Sequence, residues 1–141
     1  MADNRFSLTR VRLRHYRSIA SVDVSLGDLL LLVGPNGSGK SNFLDALRLT
    51  SESLLTSLDQ ALRSRGGVAE VRRRSTGHPT HFAIDLEFRG ENLRGAYGFE
   101  VGAVRGGGFR ISREYCDVCS IRAQAKGNVM LTPGLASWTA N

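Results

Sequence analysis

A chain of 141 residues, 41% hydrophobic and 23% charged, has the composition of one globular domain or part of one, which excludes wholesale disorder. Its longest apolar run, residues 29–33, is far short of the ~20 residues a membrane helix needs, and no apolar stretch follows Met1–Arg5 to make a signal peptide. The net charge of +6 gathers in two stretches, Arg5, Arg10, Arg12, Arg14 and Arg17 against Asp3, then Arg63, Arg65, Arg72, Arg73 and Arg74 against Glu70, which read as polyanion patches or as solvated surface.

Leu8 to Leu13 begins an apolar and basic strand, and His15-Tyr16-Arg17-Ser18 reads as a turn. Val22, Val24 and Leu26 alternate with Asp23 and Ser25, the pattern of a half-buried strand. Gly27-Asp28 turns the chain into Leu29-Leu30-Leu31-Leu32-Val33, predicted as a strand buried on both faces, as in a parallel sheet. After the glycine-rich segment 34–41, Phe43, Leu44, Leu47, Leu54, Leu55, Leu58 and Leu62 recur at helical spacing towards Ser64, with a break near Thr50-Ser51. Gly66-Gly67 ends that helix, and a polar, basic loop is predicted to Thr80. From His81 the period becomes two. Phe82, Ile84, Leu86 and Phe88, then Tyr97, Phe99 and Val101, then Phe109, Ile111 and Tyr115 predict an antiparallel meander over 81–125, with Gly106-Gly107-Gly108 as one of its turns. The tail 126–141 shows no clear period and no terminating element.

Gly34-Pro35-Asn36-Gly37-Ser38-Gly39-Lys40-Ser41 fits the phosphate-binding pattern G-x-x-x-x-G-K-[ST], set between a predicted buried strand and an amphipathic helix. Glycines let the backbone take left-handed angles and approach phosphate without a side-chain clash. Successive N–H groups and the positive end of the following helix then face the anion. Lys40 supplies a point charge for the β- and γ-phosphates, Ser41 the hydroxyl expected on Mg2+, and Asn42 continues the same first turn. The dinucleotide fingerprint G-x-G-x-x-G fails, because Asn42 occupies its third glycine position. Nucleoside triphosphate binding is the expectation.

The run from Gly34 through Ser41-Asn42-Phe43-Leu44-Asp45-Ala46-Leu47 resembles the loop of ABC-type ATPases of the SMC and RecF-like branch. The front end agrees, with a short strand, Tyr16-Arg17-Ser18 and a second strand before the loop. In that branch an aromatic-Arg-Ser triplet lies near the bound nucleotide, so the resemblance implies Arg17 and Ser18 as contacts. Arg65-Gly66-Gly67, Glu70-Val71-Arg72-Arg73-Arg74 and Gly77-His78-Pro79 are similar to bacterial ATPases of the SMC-like or AAA type. The resemblance spans residues 5–125 and is densest at 29–50. It implies an α/β fold of the P-loop NTPase class: an ABC-ATPase-like lobe with a mixed sheet, a P-loop helix and an antiparallel β-meander, forming an incomplete domain. It also implies ATP with Mg2+ as ligand, closure face to face with a second copy or a complementary ATPase half, and DNA or a partner effector as load.

Hydrolysis in that family needs a glutamine loop, a Ser-Gly-Gly signature from a second subunit, an apolar strand ending Asp-Glu, and a switch histidine. Ser64-Arg65-Gly66-Gly67 mimics the signature but lies too close to Lys40 to leave room for the intervening subdomain. Asp85 and Glu87 mimic the acidic strand, yet they alternate with Ile84, Leu86 and Phe88 as a polar strand face does. Gln124 falls where a glutamine loop would follow the meander. Cys116-x-x-Cys119 and His78-x-x-His81 offer four zinc-type ligands, set against their wide separation across a meander. Two cysteines cannot staple this chain, so a reducing cytoplasm is the expected compartment. Three functions result: the ATP-binding lobe of an SMC/RecF-like ATPase; a non-catalytic basic module binding anions or nucleic acid; and an independent small kinase, disfavoured because no second acidic motif follows the loop.

Overall fold

The computed structural model describes residues 6–74, 79–123 and 129–140. Strands β1 (Ser7–Tyr16) and β2 (Ile19–Ser25) form a hairpin whose Arg17-Ser18 turn puts Arg17 at φ 47°. A two-residue hairpin turn needs a positive φ to match the strand twist, and an arginine accepts one only at a cost of about 1 kcal/mol or more. Helices α1 (Lys40–Leu55), α2 (Leu58–Arg63) and α3 (Val68–Val71) come next, then strands β3 (His81–Arg89), β4 (Leu93–Ala103), β5 (Phe109–Ala123) and β6 (Val129–Ala140). The sheet order is β2-β1-β3-β4-β5-β6, every pairing antiparallel.

The period-two pattern divides the sheet into two chemically distinct faces. Val11, Leu13 and Tyr16 of β1, Phe82, Ile84 and Leu86 of β3, and Phe99 and Val101 of β4 are buried together. Phe43, Ala46 and Leu49 of α1, Ala61 and Leu62 of α2, and Val68 and Val71 of α3 complete that core. The opposite face carries a ladder of ion pairs. Arg10 meets Asp23 through two bonds of 2.7 Å, Arg12 meets Glu87 at 2.6 Å, Arg14 meets Glu100 at 3.5 Å, and Arg113 meets Asp85 at 3.1 Å. Four guanidinium groups thus face four carboxylates, which neutralises most of the first basic stretch.

Five expectations change. Residues 29–33 form no strand, and Leu29, Leu31 and Val33 stand 78%, 73% and 89% exposed. A strand exists only through its ladder, and no described strand runs parallel beside this segment. For the same reason the described sheet is antiparallel throughout and not mixed. The helix does not break at Thr50-Ser51, because buried Thr50 bonds its hydroxyl back to the Ala46 carbonyl at 3.0 Å within α1. It breaks at Thr56-Ser57, where the Ser57 hydroxyl caps α2 by accepting from the Gln60 N–H at 3.1 Å. Residues 129–140, expected as patternless tail, form β6 by pairing with the long β5. The basic loop also contains α3, and Arg72 bridges to Tyr16 beyond it. Gly66-Gly67 does end the helical pair, with the Gly67 N–H on the Leu62 carbonyl at 2.9 Å.

Candidate functional site

The Gly34–Ser41 segment leads directly into α1, a helix of 16 residues whose N-cap is Gly39 at φ 95°. A side chain at Gly39 would meet Ile19 Cγ1 at 3.3 Å and Ser18 Oγ at 3.4 Å, so the loop lies tight against the start of β2. Gly37 at φ 82° makes the tip. Lys40 folds back over this loop: its ammonium donates to the carbonyls of Gly34 (2.6 Å) and Pro35 (2.7 Å) and to Ser38 Oγ at 3.2 Å. Those three acceptors match the three protons of the ammonium. A cation so held at a helix N-terminus, where the first N–H groups lack intrahelical partners, is a setting that favours an anion.

Ser18 and Asn42 are brought together, the Asn42 side-chain amide donating to Ser18 Oγ at 2.7 Å. Arg17 turns elsewhere. Its Nε lies 2.9 Å from Asp45 Oδ2, and its backbone N–H donates to the Val71 carbonyl at 2.7 Å. Asp45 also accepts from the Tyr16 hydroxyl at 2.7 Å and from Arg65 Nε at 3.1 Å, while Arg65 bonds Glu52 as well. Burial works against ionising the Asp45 carboxyl. The Tyr16 hydroxyl and the Arg65 and Arg17 charges outweigh that effect and hold it below the usual carboxylate range. Burial first, then the bond to Asp45, pushes the Tyr16 phenol well above its ordinary value. Asp45 was legible only as one letter of the loop resemblance; an acidic residue midway between apolar helix positions was the available signal.

Beside the loop opens a cavity of about 550 Å³. Ser18, Ser38 and Lys40 line it, with Ile19, Val22, Val24 and Phe43 as apolar wall and the 31–33 segment at its edge. Arg73 also lines it, a residue the sequence submerges in a basic run. The exposed first-turn residue Ser41 has no hydrogen-bond partner for its hydroxyl among the described residues.

The look-alike motifs are structural. Ser64–Gly67 is the turn that closes α2, and Arg65 there is 7% exposed, committed to Asp45 and Glu52. Asp85 accepts from Tyr115 at 2.8 Å and from Arg113, and it is buried where a solvated face was expected, because those two side chains cover it. Gln124 and His78 lie outside the described residues. The register puts Cys116 opposite Tyr97 and Tyr97 opposite Leu86, about 17 Å along β3 from His81 at 3.4 Å per residue. His81 instead meets His15 edge-on, with ring centroids 5.3 Å apart. Among the described residues no group of three or more His, Cys, Asp or Glu could hold a metal ion, and no helix is long and apolar enough to cross a membrane.

Residues 29–120 match the family described as "AAA domain, putative AbiEii toxin, Type IV TA system". The DNA replication and repair protein RecF of Magnetococcus marinus is 32% identical over 134 residues, 89% of this chain and 30% of that protein. RecF of Proteus mirabilis is 49% identical over 41 residues, covering 28% of this chain and 11% of its own. The OLD nuclease of Thermus scotoductus is 37% identical over 51 residues, 36% of this chain and 10% of the nuclease. In fold, the chain is similar to the recombination mediator protein RecF solved with ATP: TM-score 0.50, 17% identity, 90% of this chain and 29% of that one. The chain therefore spans about a third of its RecF relatives. The family match covers well over half of its residues and identifies the chain as a member of this AAA domain family, with a fold similar to that of RecF.

Proposed function

We propose that the chain binds Mg-ATP through Gly34, Pro35, Asn36, Gly37, Ser38, Gly39, Lys40 and Ser41, with Ser18 and Asn42 flanking the nucleotide. The observation that carries this reading is the Lys40 ammonium held over the loop at the N-terminus of α1, beside a cavity with no acidic lining among the described residues. The three loop acceptors hold the ammonium where an entering β- or γ-phosphate would take it over as a point charge. The α1 N-terminus adds its backbone N–H groups to the same anion. Ser41 would hold Mg2+: an exposed hydroxyl without an internal partner suits an ion that binds through few protein oxygens and the substrate phosphates. Bound there, Mg2+ would neutralise phosphate charge. Arg17, carried over by resemblance as a contact, serves this reading as a positioning residue, since its Nε faces Asp45.

Hydrolysis would require a signature and an acidic strand that the described residues do not contain, supplied by a second copy or a complementary ATPase half closing on the nucleotide. A DNA-linked load is supported by the RecF relatives, which are DNA replication and repair proteins. The alternative of a basic module acting without nucleotide is not favoured, because the arginines it needs are mostly paired with carboxylates. Isothermal titration of the chain with Mg-ATP tests the reading. Binding abolished by Lys40→Ala is the expected result; an absence of binding by the folded wild-type chain would sink it.

A further inference from the structure

The two basic stretches are almost fully accounted for by internal partners. In the first, outside undescribed Arg5, Arg10 pairs with Asp23, Arg12 with Glu87, Arg14 with Glu100 and Arg17 with Asp45. In the second, Arg63 pairs with Asp59, Arg65 with Asp45 and Glu52, and Arg74 with Glu70, while Arg72 donates to the Pro79 carbonyl at 3.0 Å. Arg73 is the exception. Its guanidinium has no ion pair or hydrogen bond among the described residues, and it alone of these arginines lines the cavity that holds Lys40 and Ser38.

That position is built, not incidental. The Arg73 backbone N–H donates to the His15 carbonyl at 2.7 Å, and neighbouring Arg72 bridges to Tyr16, so the main chain is fixed on both counts. The side chain is half-buried from a pinned backbone into a space whose only charged lining, among the described residues, is Lys40 and itself. Two cations and no carboxylate on one cavity call for a ligand carrying more than one negative charge. A guanidinium offers phosphate a planar, two-pronged set of donors that an ammonium lacks.

We propose that Arg73 is a phosphate-binding residue of the nucleotide site, a second cation beside Lys40 that favours a triphosphate over a diphosphate. This rests on the reading of Gly34–Ser41 as the nucleotide loop. Its partnerless state then has a reason: a guanidinium already paired to a carboxylate, as its neighbours are, would have to surrender that bond to take up phosphate.

The experiment measures affinities for Mg-ATP, Mg-ADP and AMP by calorimetry in wild type, Arg73→Ala, Arg73→Lys, Arg74→Ala and Lys40→Ala, with a thermal melt of each. Arg73→Ala should weaken ATP about ten- to a hundredfold, the range of a charge-assisted bond, and ADP less. Arg73→Lys should recover part of that loss, and Arg74→Ala, whose partner is Glu70, should bind as wild type. Undiminished ATP affinity in Arg73→Ala, alongside its loss in Lys40→Ala, would overturn the role of Arg73 and leave the nucleotide reading intact. An equal fall for all three nucleotides accompanied by a lowered melting temperature would make Arg73 a packing residue and overturn it too. Failure of wild type to bind any nucleotide would remove both.

Discussion

Asp45 does at the level of one side chain what the sequence hides. A single carboxylate on α1 receives Tyr16, Arg17 and Arg65, tying the β1–β2 turn, the loop helix and the turn after α2 to one point. Replacing it with asparagine keeps its shape but removes the charge that faces Arg17 and leaves Arg65, 7% exposed, with Glu52 as its remaining carboxylate among the described residues. Asp45→Asn should therefore cost about 2–3 kcal/mol in urea unfolding, with the m-value unchanged. Because the carboxyl titrates below its ordinary value near 4, its contribution is complete above that pH and is lost as the pH falls through the lower folded value. The wild-type advantage over Asp45→Asn should accordingly shrink below about pH 4, which a pH series of unfolding midpoints would read. The glycine-and-lysine pattern of the loop was legible, and the structure sets it at the start of α1. Asp45, Arg65 and Arg73 were not, because their roles depend on neighbours brought from 20 or more residues away in the chain.

Among the elements, the meander was read correctly from its period of two, since Phe82, Ile84 and Leu86 of β3 and Phe99 and Val101 of β4 share one buried face. The 29–33 run was misread for an instructive reason: composition reports what a segment would bury, while a strand needs a partner the described residues do not offer. The tail failed the other way. Its β6 pairing is fixed by backbone register with β5, and no periodicity announces it. Two glycines of β4 let neighbouring strands close. A Cβ at Gly95 would sit 2.5 Å from both the Asp117 carbonyl and the Phe88 ring, and one at Gly98 2.5 Å from Asp85 Oδ1. Gly95→Ala should destabilise the chain by about 1–3 kcal/mol, since a backbone oxygen cannot step aside. Gly102→Ala, whose nearest neighbour would be Ser112 Oγ at 3.5 Å, an ordinary contact, should be tolerated in the same thermal or urea measurement.

For the molecule as a whole, the charge ladder pairs four of the arginines behind the net +6 with carboxylates on one face of the sheet. All three tyrosines are shifted upward: Tyr16 by burial and Asp45, Tyr97 by burial and Glu114, and Tyr115 by burial and Asp85, to about 12. A raised phenol stabilises the fold fully below its unfolded value near 10, and that stability is lost as pH climbs through the folded value. Phenolate absorbance should thus stay low in the native chain at pH 10.5, while the urea-unfolded chain is more than half ionised. An equal titration of both forms would contradict the Tyr–carboxylate pairs. The unladdered leucines at 29–33 have a practical consequence of another kind. Extended, solvent-facing leucines are what thermolysin cuts, and loops of this sort are where nicking concentrates. Because residues 31–33 also edge the cavity beside Lys40, a bond within 29–33 should be the first cleaved in the free chain and one that a bound nucleotide shields, turning a brief digest into a readout of occupancy.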